Sequence, residues 1–197
     1  MKALKIGCGV VCAGLFLLFA IGFFVEKVIL EPAEQQESAA RLAERSASPT
    51  RKWTIERSRS SFDDSPTVEL QLEAETRISG WPGRVETPAL VLRCREHKTE
   101  AYVRTGMTPN VEYDRFNEAT VRIRLDHDPA TKLIASESTD HEALFLPEPI
   151  PLIRSLLKHE RLTFGFTPFS SPPAETEFDL RGLTAAIVPL QEACGWK

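Results

Sequence analysis

The sequence predicts a mainly β fold, an antiparallel β-sandwich-like domain with two short helices late in the chain, preceded by an N-terminal transmembrane helix. Three observations support this prediction. Apolar and polar residues alternate strictly over several short segments, of which residues 68–78 are the clearest. Turns containing Gly or Pro separate several of these segments. An uncharged, mostly apolar run at residues 6–25 lies ahead of all of them.

The apolar run at residues 6–25 has the length of a membrane span. Twenty helical residues extend over roughly 30 Å, at about 1.5 Å per residue, which matches the hydrocarbon core of a bilayer. Lys2 and Lys5 precede the run, and positive charge on this side favours a cytoplasmic N-terminus. Because no clear small-residue cleavage site ends the run, we expect residues 1–25 to be an uncleaved anchor. A cleaved signal peptide is the alternative.

Composition divides the rest of the chain into two parts. Residues 26–51 are rich in Glu, Gln, Ala, Ser and Arg, and they are too poor in apolar side chains for a core, so we expect a polar stalk or linker. Residues 52–197 contain the alternating segments and form the predicted β domain. The formal net charge of the whole chain is −4, which argues against nucleic acid as a partner because phosphate binding needs clustered Lys and Arg.

The predicted strands follow one another through short turns. In residues 68–78, Val, Leu and Ile face one side while Glu, Gln and Arg face the other, and the sequence Gly-Trp-Pro-Gly at 80–83 then predicts a turn. Residues 88–94 and 99–105 predict a hairpin, and residues 119–126 alternate again. The other strand candidates are residues 132–138, 143–147, 161–169 and 175–180.

Helical spacing replaces alternation in two places. Residues 149–162 space their apolar side chains as a helix does, and Pro151 suits its first turn. The apolar residues between Leu183 and Cys194 follow the same spacing. Pro189 lies inside this second run and predicts a kink, because proline has no backbone N–H to donate.

Two of the four cysteines lie in the predicted β domain, and the other two lie in the apolar run. In an oxidising compartment, two lone cysteines predict one disulfide, here between Cys94 and Cys194. A bond between them would tie the C-terminal helix to the sheet. The alternative is a pair of buried free thiols.

Several segments carry a family resemblance when they are read in order. They are Trp53, residues 61–75, 88–103, 121–126, the STD sequence at 138–140 with the LFLP that follows, the helix at 150–158, and residues 162–169, 178–183 and 193–196. Together they resemble the VasI/TagO family of type VI secretion system-associated proteins of Gram-negative bacteria. The resemblance implies an accessory protein whose domain lies in the periplasm. Members often have a cleaved signal, whereas the predicted anchor at residues 6–25 would hold this chain to the inner membrane. The resemblance implies no established enzymatic activity.

Two features depart from that family's pattern. Members often carry a cysteine-containing RLACYD-like segment ahead of the domain, whereas residues 41–46 here read RLAERS. The resemblance therefore implies no additional N-terminal disulfide in this chain. Many relatives also carry a tryptophan shortly before the STD sequence, where residues 132–137 here read KLIASE.

Motifs that would support catalysis or metal binding are weak. Asp126-His127-Asp128 and Asp140-His141-Glu142 place candidate ligands in consecutive positions, and consecutive strand residues point to opposite faces. We therefore interpret both as strand ends or turns rather than metal sites. Asp63-Asp64-Ser65 likewise favours an Asx turn over a calcium site. We predict no catalytic, metal-binding or cofactor-binding residue and no cofactor.

Five residues are candidates for contact with a partner: Trp81, Arg93, Arg95, Arg122 and Arg124. Trp81 lies in a predicted turn, where an aromatic ring is available for contact. The arginines flank Cys94 and Ile123, so four guanidinium groups would share one face if the two strands were neighbours. Such a face would suit an acidic partner or a peptidoglycan carboxylate. The alternative is that glutamates on a nearby strand pair with these arginines.

Three functions follow as hypotheses. The first is a non-enzymatic binding or assembly module that contacts envelope or baseplate proteins of the secretion system, with peptidoglycan as a further candidate. The second is a periplasmic cell-wall hydrolase, which the missing acid/base motif disfavours. The third is an immunity or inhibitor domain against an effector, since such domains are also small, acidic and membrane-tethered.

Overall fold

The computed structural model describes residues 52–61, 63–112 and 117–197. The predicted anchor at residues 6–25 and the predicted stalk at residues 26–51 lie outside the described residues. Within the described part, no helix combines the length and apolar character that a membrane crossing requires.

Strands dominate the described part of the chain. They are β1 (Trp53–Arg59), β2 (Pro66–Glu73), β3 (Ile78–Gly80), β4 (Arg84–Glu86), β5 (Ala89–Arg95), β6 (Lys98–Arg104), β7 (Glu118–Leu125), β8 (Thr131–Glu137), β9 (Ala143–Phe145), β10 (Arg161–Phe166) and β11 (Ala174–Asp179). The helices are α1 (Pro149–Leu156), α2 (Leu183–Ala186) and α3 (Val188–Cys194). The prediction of a mainly β domain is thereby confirmed.

Nine strands form one antiparallel sheet in the order β1-β2-β5-β6-β9-β8-β7-β10-β11, and β3 pairs with β4 in a separate hairpin. The sheet curls until its two ends approach each other. Lys52, next to β1, places its Nζ 2.5 Å from Oδ2 of Asp179 at the end of β11. The N–H of Glu75 donates to the carbonyl of Glu177 over 2.8 Å. One curled sheet therefore replaces the two stacked sheets of the sandwich-like prediction.

The core lies on the inner side of this curled sheet. Alternation sends Leu70 of β2, Leu92 of β5 and Phe164 of β10 inward, and all three are buried. The helices pack on the same side, where Leu156 of α1 and Leu190 of α3 join this hydrophobic cluster. The outer face of the sheet is mostly polar, but β5, β6 and β9 carry a second, smaller hydrophobic cluster there, formed by Ala89, Val91, Tyr102 and Ala143. The residues predicted to contact a partner lie on this outer face or in loops.

Several predicted boundaries were wrong for identifiable reasons. β2 ends at Glu73 rather than at 78, because the next two backbone N–H groups leave the ladder and bond to the carbonyls of Pro88 and Glu177. The predicted helix at 149–162 ends at Leu156, and β10 starts soon afterwards at Arg161.

The predicted kinked helix between Leu183 and Cys194 is two helices, α2 and α3, which gives three helices in the described residues instead of the two expected late in the chain. The break falls at Ile187, so that Pro189 occupies the first turn of α3. A proline in the first turn needs no backbone donor, whereas in a continuous helix it would remove one.

Candidate functional site

The two cysteines predicted to pair are bonded. Cys94 on β5 and Cys194 at the end of α3 form a disulfide with a Cα–Cα distance of 5.7 Å. Trp196 follows the bond and donates from its indole Nε1 to the Oγ1 of Thr99 on β6 over 2.8 Å. The C-terminal helix is therefore held to the sheet by one covalent link and one hydrogen bond, which is a structural role.

The acid-and-histidine motifs serve the backbone. The Asp126 carboxylate accepts the backbone N–H of Arg161 at 2.8 Å and that of Glu160 at 3.1 Å. The Ser138 hydroxyl accepts the N–H of Ala143 at 2.9 Å and donates to the Asp140 carboxylate, which closes the turn that contains the STD sequence. The Ser138 and Asp140 side chains thus shape a turn, and the Asp126 side chain fixes the backbone that leads into β10.

The structure contains the predicted Asx turn at Asp63. Asp63 accepts both the backbone N–H of Ser65 at 3.1 Å and its hydroxyl at 2.8 Å, which is the geometry of an Asx turn. Hydrogen bonds from serine hydroxyls, with Ser60 as the largest contributor, lower the pKa of the Asp63 carboxyl. Across residues 52–61, 63–112 and 117–197, no group of three or more His, Cys, Asp or Glu side chains is arranged to hold a metal ion.

The four candidate arginines do not meet on one surface. β6, β9 and β8 lie between β5, which carries Arg93 and Arg95, and β7, which carries Arg122 and Arg124. Arg93 donates to the Glu100 carboxylate over 2.6 and 2.9 Å, and its side chain is mostly buried. Its Nη1 also lies 3.9 Å from Glu69, the kind of cross-strand pairing considered as the alternative.

Trp81 is the most exposed large apolar side chain among the described residues, at 67% of its maximum. It lies between β3 and β4, in the predicted Gly-Trp-Pro-Gly turn. Gly80 holds this hairpin close to the domain, because a Cβ at that position would come within 2.7 Å of the Met107 sulfur. The hairpin therefore lies against Met107 at this point, and the Trp81 ring is presented to solvent.

A second exposed aromatic residue lies beside this hairpin. Phe169 is 54% exposed and occupies the loop between β10 and β11. The Ser171 hydroxyl joins the two segments, since it accepts the backbone N–H of Trp81 at 2.9 Å and reaches the Phe169 carbonyl at 3.3 Å as a donor. Val85 on β4 adds another exposed apolar side chain, and we refer to Trp81, Val85 and Phe169 together as the aromatic tip.

The two segments that carry the aromatic rings of the tip are uncharged. Residues 78–83 and 167–173 contain no charged side chain. The next residue of the hairpin, Arg84, donates from Nε to Glu86 at 2.7 Å and from Nη2 to Glu142 at 3.1 Å. The hydrogen bonds to these two carboxylates raise the pKa of the Arg84 guanidinium, and the bond to Glu86 has the larger effect. The two rings therefore offer apolar contact area, and the cation that follows them in the hairpin, Arg84, is paired with two carboxylates.

Phe169 was missed by the sequence analysis because it was included in the predicted strand at 161–169. The strand β10 ends at Phe166, and Pro168 follows two residues later. A proline cannot donate to the ladder. Phe169 lies between Pro168 and the Ser-Ser-Pro-Pro sequence at 170–173, and this pattern indicates that it belongs to a loop.

Comparison with known proteins adds little to this geometry. No protein-family model matches the chain, and no curated protein matches it. Among solved structures, the chain is similar to the invasion-associated protein B from Bartonella henselae at 12% sequence identity and a TM-score of 0.46. The similarity covers 72% of this chain and 94% of that chain. A likeness this distant carries no argument about function.

Proposed function

We propose that this protein is a non-enzymatic, envelope-anchored accessory protein of a bacterial type VI secretion system, and that its β domain is a periplasmic binding or assembly module. The observation that carries the binding role is the aromatic tip, where Trp81 and Phe169 are more than half exposed and are joined through Ser171. The resemblance to the VasI/TagO family and the predicted anchor at residues 6–25 support the secretion-system setting.

The aromatic tip fits a protein partner on energetic grounds. Large aromatic side chains bury about 150–250 Å² each, and burial of apolar area contributes about 25 cal/mol per Å². Covering the exposed fractions of Trp81 and Phe169 would therefore contribute on the order of 5 kcal/mol before the entropy lost on association. Such rings are the typical centres of protein–protein interfaces. The acidic net charge of −4 and the pairing of Arg84 with Glu86 and Glu142 disfavour an anionic lipid surface as the alternative.

The proposed partners are envelope or baseplate subunits of the secretion machine, with peptidoglycan as a further candidate. Site-directed photo-cross-linking of the full-length chain in its native host tests this proposal. A photoreactive residue at position 81 or 169 should capture a secretion-system subunit. The same residue at Val188, which is 46% exposed on α3, provides a matched control that should not. Equal capture from all three positions would contradict the proposal.

The two other hypotheses give different results in parallel assays. Clearing of purified sacculi by the full-length protein would indicate a cell-wall hydrolase. Recovery of one toxic effector, with neutralisation of its toxicity, would indicate an immunity domain. A reporter fusion at the C-terminus tests the localisation, since activity of a cytoplasmic reporter there would exclude the periplasmic orientation.

A further inference from the structure

The outer face of β7 and β8 carries a row of cations. Arg122 and Arg124 alternate with the inward-facing Val121 and Ile123 on β7, and Lys132 on β8 is the register partner of Arg122. We refer to Lys132, Arg122 and Arg124 as the cationic strip. It lies on a chain whose net charge is negative, so this row is a local departure from the overall charge.

The cationic strip has unused donor capacity. The Nε of Arg124 donates to the Asp126 carbonyl over 3.1 Å, and its two terminal nitrogens have no acceptor among the described residues. Lys132 is exposed and likewise has no ion-pair partner in the described part of the chain. Terminal guanidinium nitrogens that are free in this way can bind a carboxylate in the bidentate mode.

The third cation of the strip has a partner that a ligand can replace. Arg122 pairs with Glu175 of β11, and the two side chains are 55% and 56% exposed. Exposed pairs of this kind contribute about 0.2–1 kcal/mol, because water screens them. A ligand carboxylate that bound Arg122 would therefore displace Glu175 at little energetic cost.

A trough runs beside the cationic strip along β10. Its floor contains Gly165, opposite Arg122, and Thr163, opposite Arg124. Glu175 borders two cavities along this trough, of about 330 and 520 Å³. Gly165 lacks the side chain that would fill the floor, since a Cβ there would lie 3.3 Å from the Glu175 Cγ. A glycine inside a strand is typical of sites where another chain approaches closely.

We propose that the cationic strip is a second interaction surface, which binds an extended acidic segment of a partner protein. Arg122 and Arg124 lie two residues apart on one strand, a separation of about 6.6–6.8 Å, which matches carboxylates at alternate positions of an extended peptide. Arg124 binds one carboxylate, and Arg122 exchanges Glu175 for the next. Glu175 and Glu177 on β11, together with Asp126 and Glu160 at the Arg124 end of the trough, repel further carboxylates and so confine the acidic segment to the strip itself.

The test uses the full-length chain in detergent and a fluorescently labelled peptide in which glutamate alternates with serine. Binding is measured by fluorescence polarisation at about 50 mM salt, where surface charges are weakly screened. The protein should bind the glutamate peptide and not its glutamine analogue. Arg122→Gln combined with Arg124→Gln should weaken binding at least about tenfold, since charge-assisted hydrogen bonds are lost.

Two matched variants make the test specific. Arg95→Gln removes an exposed arginine from β5, which three strands separate from β7, and should leave peptide affinity unchanged. Trp81→Ala should also leave it unchanged, so that failure of this proposal and failure of the aromatic tip are distinguishable. Gly165→Ala should weaken binding by narrowing the trough, and a cooperative thermal transition of this variant shows that it is folded.

Three results would overturn the proposal: no binding of the glutamate peptide, equal binding of the glutamine peptide, or undiminished affinity in the Arg122/Arg124 double variant. Retention on purified sacculi without binding of the peptide would assign the strip to peptidoglycan and overturn the acidic protein segment as its ligand. Salt-dependent self-association lost in the same double variant, without peptide binding, would assign it to a second copy of this chain.

Discussion

Breaking the bond between Cys94 and Cys194 should destabilise the domain mainly by freeing its unfolded chain. The two cysteines are 100 residues apart in sequence. In the chain-entropy model, a closed loop of this length contributes about 4.7 kcal/mol at 25 °C. We expect the native contacts around the bond to persist without it, because Leu190 of α3 is fully buried and Trp196 donates a hydrogen bond to Thr99. We therefore expect a loss of about 3–5 kcal/mol in the free energy of unfolding.

Cys194→Ser is the informative variant. Cys94 is fully buried, so a serine there would also place an unpaired hydroxyl in the core. The cost of burying that hydroxyl could not then be separated from the loss of the disulfide. Cys194 is only partly buried, which leaves the buried Cys94 as a small apolar thiol. The wild-type protein treated with a reductant should show the same loss, which provides the control for the substitution itself.

Urea denaturation of the full-length chain in detergent, followed by tryptophan fluorescence, measures the effect. The denaturation midpoint should fall, and the slope m should rise because the uncrosslinked denatured chain exposes more surface. An unchanged midpoint would refute the reasoning. A fall in midpoint with a changed native spectrum would show instead that the bond shapes the folded state.

Three further predictions concern individual side chains. Trp53→Phe should lower stability less than Trp196→Phe, because the buried Trp53 indole N–H has no hydrogen-bond partner among the described residues, while that of Trp196 donates to a threonine hydroxyl; equal losses in urea denaturation would contradict this. Arg181 holds the pKa of the Asp179 carboxyl well below its usual range, so Asp179→Asn should destabilise the protein at pH 7. That difference in melting temperature should shrink only as the pH falls below the unfolded pKa of about 3.9, and one that grew in acid would contradict the assignment. Gly80→Val should lower stability by about 1–3 kcal/mol through overpacking against a methionine sulfur, measured as a fall in melting temperature.

Alternation predicted the central strands because their inward positions are filled by apolar residues along their whole length. It missed β1, where Trp53 and Ile55 face the core but the next inward positions are Arg57 and Arg59. Those two positions lie at the edge of the sheet, where burial is incomplete. A strand at an edge is held by its backbone ladder to one neighbour, and the backbone ladder leaves no mark on hydrophobic periodicity.

The candidate site was predictable only where local sequence decides the conformation. The Gly-Trp-Pro-Gly turn indicated that Trp81 is exposed, and the structure shows this exposure. The grouping of Arg93 with Arg122 depended on strand order, which long-range pairing sets. Three strands lie between the strands that carry them. Phe169 lies near Trp81 because the hydroxyl of Ser171, two residues after Phe169, accepts the backbone N–H of Trp81. Trp81 and Ser171 are 90 residues apart in sequence, and the spacing of residue types does not predict such a contact.

Ionic strength separates the contributions of the two proposed surfaces. The aromatic tip has no free charge, so its contact with a partner depends on apolar burial, which salt does not screen. The cationic strip depends on exposed guanidinium and ammonium groups, whose attraction is screened as the Debye length falls from about 10 Å at 0.1 M to about 3 Å at 1 M. Cross-links from position 81 should therefore persist at high salt while binding of the acidic peptide disappears. If both persisted, Arg122 and Arg124 would be binding through something other than charge; if both disappeared, Trp81 would not be the anchor of the interface.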